Sequence, residues 1–164
     1  MEVVFEELFE KSNHKPINYK GHKVCVGDTI TLPAGEVHLK ITFEKVNSDW
    51  EQGIFIRGNS KGNGKKKGKF VINNETFKDG FYLWRSTSPD ITKATFHSQF
   101  EEVIVIWNIW RIDNGPMQYG HNGAALYFEE LPNGRRYYCN DGYPDDDFDD
   151  LIFTVTLEII SEEK

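Results

Sequence analysis

The sequence predicts an all-β fold, an antiparallel β-sandwich of jelly-roll type with a short N-terminal helix. Hydrophobic residues alternate with a period of two over most of the chain, and turn residues interrupt them every 8 to 15 residues or so. No internal repeat or linker divides the chain. A length of 164 residues fits one domain, so residues 1–164 are assigned to a single sandwich.

One segment, residues 3–11, has the three- and four-residue spacing that is typical of a helix. Val4 and Leu8 share one face in this segment, with Phe5 and Phe9 beside them. We therefore expect a short helix with one buried side ahead of the first strand.

The predicted strands follow the helix, separated by Gly, Pro, Asn and Asp. Val37, Leu39, Ile41 and Phe43 alternate with polar residues, which indicates a half-buried antiparallel strand. The predicted strands are residues 23–26, 29–32, 36–46, 54–57, 70–73, 81–85, 103–112, 124–128, 135–139 and 151–160.

Residues 103–112 (VIVIWNIWRI) differ from the other strands because both sets of alternating positions are apolar. This pattern predicts a central strand with both faces covered. In the last strand, we expect Leu151, Phe153, Val155, Leu157 and Ile159 to point inward. Pro132-Asn133-Gly134 is the strongest hairpin signal in the chain.

Residues 58–69 (GNSKGNGKKKGK) have almost no apolar content and predict a flexible loop. Lysines here could contact phosphate or an acidic sugar. No aromatic residue is interleaved to stack on a base, and a solvated hairpin tip is the simpler interpretation.

The formal net charge of −7 argues against non-specific binding to nucleic acid or to an anionic membrane. The acidity is local, since residues 129–164 hold eleven acids and three bases. The longest apolar run, residues 103–112, is about half the length of a membrane-spanning helix. We expect neither a nucleic-acid partner nor a membrane span.

Cys25 and Cys139 are too few and too widely spaced for a disulfide framework or a zinc knuckle. Two buried thiols are the simpler interpretation, and a single disulfide stays open. Residues 1–13 (MEVVFEELFEKSN) lack the features of a signal peptide. We expect a cytoplasmic protein or an exported protein without its leader.

Residues 140–150 (NDGYPDDDFDD) form an acidic loop between two predicted strands, and it carries six aspartates. Crowded carboxylates repel one another, and a hard divalent cation such as calcium relieves this cost. The loop is not an EF-hand, because from Asp145 the glycine and glutamate positions hold Asp150 and Thr156. The alternative is a solvated loop that discourages edge-to-edge strand pairing.

Residues 145–153 (DDDFDDLIF) resemble the D-x-D-F-N-D-[LV]-[IVF]-F signature of calcium-loop β-sandwich domains in bacterial surface proteins. Residues 138–157 also resemble the last loop and strand of small galactophilic calcium-dependent jelly-roll lectins, and residues 80–84 resemble an aromatic strand in them. Aspartates 149 and 150 stand where those lectins have paired asparagines. The resemblance implies a calcium that holds sugar hydroxyls, and its implied ligands are Asp141, Asp145, Asp147, Asp149 and Asp150.

Aromatic residues make up 14% of the chain, and some fall near turns, where rings could stack on sugars. Tyr143 lies in the acidic loop, and Tyr119 lies in a segment rich in Gly and Asn, where it could form the opposite wall of a site. The alternative is that these rings, Trp50 among them, fill the core. The candidate ligand-binding residues are Tyr119, His121, Asn122, Tyr143 and Trp84.

Catalysis has little support, because the five histidines are scattered and no nucleophile or phosphate-loop motif is present. Two functions are favoured, and an enzyme that acts on glycans stays open as a third. The first is a non-catalytic calcium-binding module for carbohydrate. The second is an acidic intracellular interaction protein without metal, such as an immunity protein or inhibitor that covers a basic protein partner.

Overall fold

The structure, a computed structural model, describes residues 2–58 and 68–160. The predicted lysine loop therefore lies outside the described residues, except for its ends. The elements are α1 Phe5–Lys11, β1 Ile17–Tyr19, β2 His22–Val24, β3 Asp28–Leu32, β4 Gly35–Val46, β5 Glu51–Gly58, β6 Lys69–Ile72, β7 Glu75–Phe77, β8 Gly80–Trp84, β9 Ile91–Ser98, β10 Glu102–Arg111, β11 Ala125–Leu131, β12 Gly134–Asn140 and β13 Leu151–Ile160.

The strands form two facing sheets and a small β1-β2 hairpin. The smaller sheet has the order β3-β10-β5-β8, and the larger has the order β11-β12-β13-β4-β9-β6-β7. All strand pairs are antiparallel. The arrangement confirms an all-β, sandwich-like fold with one short helix, and the jelly-roll type stays a prediction that is compatible with it.

The main core lies between the two sheets and comes from the alternating strands. Val37, Leu39, Ile41 and Phe43 of β4 are buried, as predicted. From the smaller sheet, the core receives Leu32, Ile54, Ile56, Phe81, Ile104 and Ile106. Such a layer of interdigitated inner faces is what holds a sandwich together.

The last strand differs from its prediction at one inward position. Leu151, Phe153 and Val155 are buried, whereas Ile159 is 64% exposed. Strand β12 pairs with β13 only as far as Thr156, and beyond the bond from the Leu157 amide to the Asn133 carbonyl no described strand pairs with β13 on that side. Ile159 therefore extends past the covered part of the sheet.

The helix begins at Phe5 rather than Val3, and its buried residues are Phe5 and Phe9. Val4 and Leu8 are only half-buried. The two phenylalanines join Val24, Ala125 and Phe148 in a second, smaller hydrophobic cluster. This cluster packs the N-terminal helix beside the acidic loop, because Phe148 belongs to that loop.

Both cysteines are free and buried, which agrees with the simpler of the two interpretations. Burial raises the pKa of Cys139, whose thiol is surrounded by core residues. In the part of the chain that the structure describes, no helix is long and apolar enough to cross a membrane.

Candidate metal centre

The acidic loop joins β12 to β13 and lies beside the turn between β4 and β5. Strand β4 pairs with β13, so Val46 is opposite Leu151. The amide of Asn47 then donates to the carbonyl of Asp150, 3.1 Å away. Two segments about a hundred residues apart in sequence thus meet at one end of the larger sheet.

Asn140 is completely buried, and its side chain is hydrogen-bonded to two residues of the acidic loop. Its Oδ1 accepts a hydrogen bond from the amide of Phe148 at 2.7 Å, and its Nδ2 donates to the carbonyl of Asp145 at 2.9 Å. Its own carbonyl accepts from Asn108 Nδ2 at 2.8 Å. These bonds hold the loop in a closed shape, because both of its sides are tied to one side chain.

Phe148 anchors the outer part of the loop. Its φ of 52° lies in the left-handed region, which a non-glycine residue adopts only when its surroundings impose it. Its ring is 5% exposed and lies 5.4 Å from the ring of Phe5 and 5.1 Å from that of Tyr127. The ring therefore fastens the loop to the second hydrophobic cluster.

Three carboxylates meet at the centre of the loop. Asp145, Asp147 and Asp150 each offer one oxygen, and these oxygens all lie within 4.8 Å of one another. Asp150 is 5% exposed, whereas Asp147 is open to solvent. We call these three residues the aspartate cluster.

Burial and mutual repulsion disfavour the charged form of the cluster. Burial raises the pKa of Asp150 to about 8, and the charges of Asp141, Asp147 and Asp145 add to this effect. Burial also raises the pKa of Asp145 to about 6, with a further contribution from Asp147. The pKa of Asp147 is raised by burial and by Asp149.

Two carboxylate oxygens of the loop are buried without a hydrogen bond. These are Asp145 Oδ1 and Asp149 Oδ1, for which no described residue is a donor. An unsatisfied buried oxygen is costly, and an anionic one more so. Asp145 Oδ1 belongs to the aspartate cluster, where a bound cation would compensate it, whereas the carboxylate of Asp149 has its partners at its other oxygen.

Asp141 differs from the cluster because its carboxylate is already satisfied by hydrogen bonds. It is 1% exposed, and its Oδ2 accepts from Ser48 Oγ at 2.6 Å and from Gln52 Nε2 at 3.0 Å. Its Oδ1 accepts from the amide of Tyr143 at 3.0 Å. Asp141 therefore shapes the site, and its amide in turn donates to Asp150 Oδ2 at 2.9 Å.

The remaining two aspartates of the loop have partners outside the cluster. Asp149 Oδ2 accepts from Asn47 Nδ2 at 2.9 Å and lies 3.6 Å from Lys45 Nζ. Asp146 Oδ2 accepts from the hydroxyl of Tyr19 at 2.9 Å and from Lys20 Nζ at 2.6 Å. The structure thus brings together three of the five predicted ligands, places Asp141 beside them and turns Asp149 towards the β4 side.

A cleft of about 330 Å³ opens over the cluster and contains residues from both loops. Tyr143 is 60% exposed, and its ring meets that of Trp50 edge to face at a centroid distance of 6.4 Å. The candidate site residues predicted from the sequence do not include Ser48 and Trp50, which reach the cleft only through the pairing of β4 with β13. Nothing local in the sequence links that turn to the acidic loop.

The other predicted ligand-binding residues lie apart from this cleft. The carbonyl of Asn122 accepts from the amide of Glu6, and His121 lies 3.5 Å from the Glu6 carboxylate. Trp84 is 8% exposed, and the Arg111 guanidinium lies over its ring at 4.4 Å. Tyr119 contacts Trp107 instead, at a centroid distance of 5.5 Å.

The donor set of the cleft suits a hard cation. The side chains that line it offer carboxylate, hydroxyl and amide oxygens, and the residues identified there include no histidine or cysteine. Oxygen-only sets favour calcium or magnesium, whereas zinc sites use nitrogen and sulfur. The residues present therefore fit the ion that the resemblance implies.

No protein-family model matches the chain, and neither does a curated protein or a solved structure.

Proposed function

We propose that the protein is a calcium-binding module whose ion is held by Asp145, Asp147 and Asp150. The observation that carries the proposal is the convergence of three carboxylate oxygens within 4.8 Å beside a buried, unpaired oxygen of Asp145. A divalent ion there would neutralise the repulsion within the cluster. It would also give Asp145 Oδ1 the partner that it lacks.

Calcium fits this cluster better than magnesium does. Calcium accepts six to eight oxygens, at roughly 2.3–2.6 Å, in irregular arrangements, whereas magnesium requires a near-ideal octahedron and releases its waters reluctantly. The cluster provides three carboxylates at differing depths from an irregular loop, so further ligands must come from water or from a bound molecule. Such an open coordination sphere suits calcium.

The module's ligand, on this proposal, is a carbohydrate that shares the calcium. The open side of the cluster faces the cleft that Trp50 and Tyr143 also line. A sugar whose hydroxyls complete the calcium sphere would place its apolar face near these rings, and flat rings at a polar site favour such contact. We assign this contact to Tyr143 and to Trp50, which the pairing of β4 with β13 brings to the cleft.

The calcium proposal is tested by thermal unfolding of the full chain with calcium, with magnesium and with a chelator. Calcium at a hundredfold excess over its Kd should stabilise the fold by about 2.7 kcal/mol, or raise Tm by roughly 5–10 °C. Magnesium should produce a smaller shift, and the chelator should reverse the effect. A Tm that does not depend on calcium contradicts the proposal.

Matched substitutions in one loop make the test specific. Asp147→Asn should abolish the calcium shift, because Asp147 is an exposed member of the cluster and its loss leaves the fold intact. Asp146→Asn is the control, since Asp146 binds Lys20 and Tyr19 instead. Asp149→Asn distinguishes the two proposed ligand sets. The resemblance counts Asp149 as a ligand, whereas the structure pairs it with Asn47 and Lys45, so we expect this variant to retain most of the calcium shift.

The carbohydrate step has its own test, a glycan array probed with and without calcium. Binding should require calcium and should be lost in Trp50→Ala, while the calcium-induced Tm shift of that variant stays. Calcium binding without any glycan signal would contradict the carbohydrate step alone. Glycan binding that ignores both calcium and Asp147→Asn would place the sugar elsewhere.

A further inference from the structure

The N-terminal segment, residues 3–24, packs against the acidic loop. It contains α1, β1 and β2, and its hairpin belongs to neither of the two facing sheets. None of its residues has a role in the calcium proposal. It nevertheless contacts the acidic loop through its backbone and through its side chains, so the position of each depends on the other.

The start of α1 is hydrogen-bonded to the acidic loop and to the turn before β11. The amide of Val3 donates to the carbonyl of Pro144 at 3.0 Å, and the amide of Glu6 donates to the carbonyl of Asn122 at 2.8 Å. Glu6 lies in the first turn of the helix, where amides have no partner within the helix. The N-cap residue Val4 makes no side-chain hydrogen bond, so the carbonyl of Asn122 takes the place of a capping side chain.

Phe5 is the main side-chain contact between the helix and the acidic loop. Its ring is completely buried, and it lies 5.4 Å from the ring of Phe148 and 5.0 Å from that of Tyr19. Of the five buried residues in the second hydrophobic cluster, Phe5, Phe9 and Val24 belong to the N-terminal segment. The surroundings of the Phe148 ring therefore come largely from this segment.

The position of Phe148 affects the aspartates beside it. Asp147 precedes it in sequence, and Asp150 follows two residues later. Its left-handed backbone conformation persists only where its surroundings impose it. Those surroundings are the bond from its amide to Asn140 and the packing of its ring. If the ring were released, the backbone between Asp147 and Asp150 would relax and the oxygens of the aspartate cluster would separate.

The N-terminal segment has little stability of its own. Helix α1 has seven residues, and isolated helices shorter than about 12 residues are marginal in water. Strands β1 and β2 have three residues each, and an isolated two-stranded hairpin is marginal as well. The segment is therefore held by its packing on the rest of the protein. Elements of this kind open locally without unfolding of the whole domain.

We propose that the N-terminal segment is a positioning element of the calcium site. Its packing on Phe148 sets the calcium affinity, and bound calcium in turn holds the segment in place. Phe5 is the positioning residue, because it acts on the ion only through Phe148. This inference rests on the proposed function, since it concerns the same ion. The coupling is reciprocal: the factor by which packing of the segment strengthens calcium binding is the factor by which calcium favours the packed segment.

A second link between the segment and the loop contributes less. Asp146 accepts from Tyr19 and Lys20, and the Lys20 side chain is 60% exposed. Exposed ion pairs contribute little, so Asp146→Asn should leave the calcium Kd within about twofold of the wild type. The coupling therefore depends on the apolar contact between Phe5 and Phe148.

The first test compares the calcium Kd of two variants of the full chain, measured by titration calorimetry with calcium chloride. Phe5→Leu removes the ring that packs on Phe148, and we expect its Kd to rise at least about fivefold. Phe70→Leu is the matched control, because Phe70 is also completely buried but lies on β6, which β4 and β9 separate from β13. Both variants should have a lower Tm, whereas the Kd of Phe70→Leu should stay within about twofold of the wild type.

The second test needs no substitution and measures hydrogen exchange of the wild-type chain with and without calcium. The amides of α1 should exchange at least about fivefold more slowly when calcium is bound. The β6-β7 hairpin, at the opposite edge of the larger sheet from β11, is the internal control. Local opening of that hairpin should not respond to calcium.

The outcomes separate this inference from the proposed function. A wild-type chain that does not bind calcium overturns both. If the wild type binds calcium but Phe5→Leu has the same Kd, or exchange in α1 does not respond to the ion, the inference alone is wrong. An equal rise in Kd for Phe5→Leu and Phe70→Leu also contradicts it, because the affinity would then follow overall stability.

Discussion

Two buried carboxylates, Asp28 and Asp150, have opposite surroundings within the same sandwich. Asp28 is 7% exposed, and its Oδ2 accepts from Arg135 Nη1 and from the hydroxyl of Tyr137, both at 2.6 Å. Asp150 is 5% exposed, and the charged groups around it are other aspartates.

The two sites differ in whether the charge of the buried carboxylate is compensated. A buried charge is tolerated when a partner and hydrogen bonds compensate it. Although burial favours loss of the Arg135 proton, the bond to Asp28 outweighs this and leaves the pKa of Arg135 raised. Among the described residues, no cation forms an ion pair with Asp150, and this supports the proposal that a bound ion completes the site.

The largest expected effect comes from breaking the compensated site. Asp28→Asn should lower the free energy of unfolding by about 3 kcal/mol, because it leaves Arg135 and the Tyr137 hydroxyl with a neutral partner. Urea denaturation with and without calcium measures this. Asp28→Asn should keep the calcium-induced shift, and a loss of stability that depended on calcium would contradict the comparison.

Asp150→Asn should change stability in the opposite direction when calcium is absent. The substitution keeps an acceptor for the Asp141 amide and removes one charge from the cluster. At pH 8 we expect a gain on the order of 1 kcal/mol in the free energy of unfolding. With calcium present, the same variant should be less stable than the wild type, because it has lost a ligand.

The pH dependence of this gain follows from the raised pKa values. Unfolded aspartate has its ordinary pKa of 3.8, whereas Asp145 and Asp150 titrate at about 6 and about 8 in the folded chain. A raised folded pKa contributes stability below pH 4, and that contribution is lost as the pH rises to about 8. The urea midpoint of the wild type should therefore fall relative to that of Asp150→Asn as the pH rises from 5 to 8. Calcium should abolish this trend.

How far the sequence predicts these two regions depends on the distance between the interacting residues. The aspartate cluster lies within six residues, so the charge pattern pointed to it directly. The Asp28 site joins β3 to β12, and nothing near Asp28 in the sequence indicates Arg135. The same holds for Ser48 and Trp50, which the pairing of β4 with β13 brings to the acidic loop.

The strands follow the same rule. Strand β4 has bulky inward residues and was predicted to within one residue, whereas β9 was not predicted at all. The inward positions of β9 are Thr92, Ala94, Phe96 and Ser98, which are mostly small or polar and make a weak alternation. Its burial depends on β4 and β6 on either side, which local patterns do not report.

A smaller effect is expected from Tyr137→Phe, which removes one hydrogen bond from Asp28 and leaves Arg135 in place. Burial and the charge of Asp28 raise the pKa of Tyr137, so the hydroxyl stays protonated and donates. We expect a loss of about 1 kcal/mol in the free energy of unfolding, since the ring keeps its packing against Phe153. A loss as large as that of Asp28→Asn would show that the ion pair with Arg135 contributes little.

The smallest effect tests the comparison inside the acidic loop itself. Asp146 is bonded to Lys20 and Tyr19, and these bonds hold its pKa below the ordinary value. A lowered folded pKa contributes stability above the unfolded value, and acid removes it, which is the reverse of Asp150. Asp146→Asn should therefore cause a slight loss at pH 7 that disappears below pH 3, because exposed ion pairs contribute little. If this variant were instead stabilised at pH 7, as Asp150→Asn should be at pH 8, repulsion would dominate the whole loop and the distinction between paired and unpaired aspartates would fail.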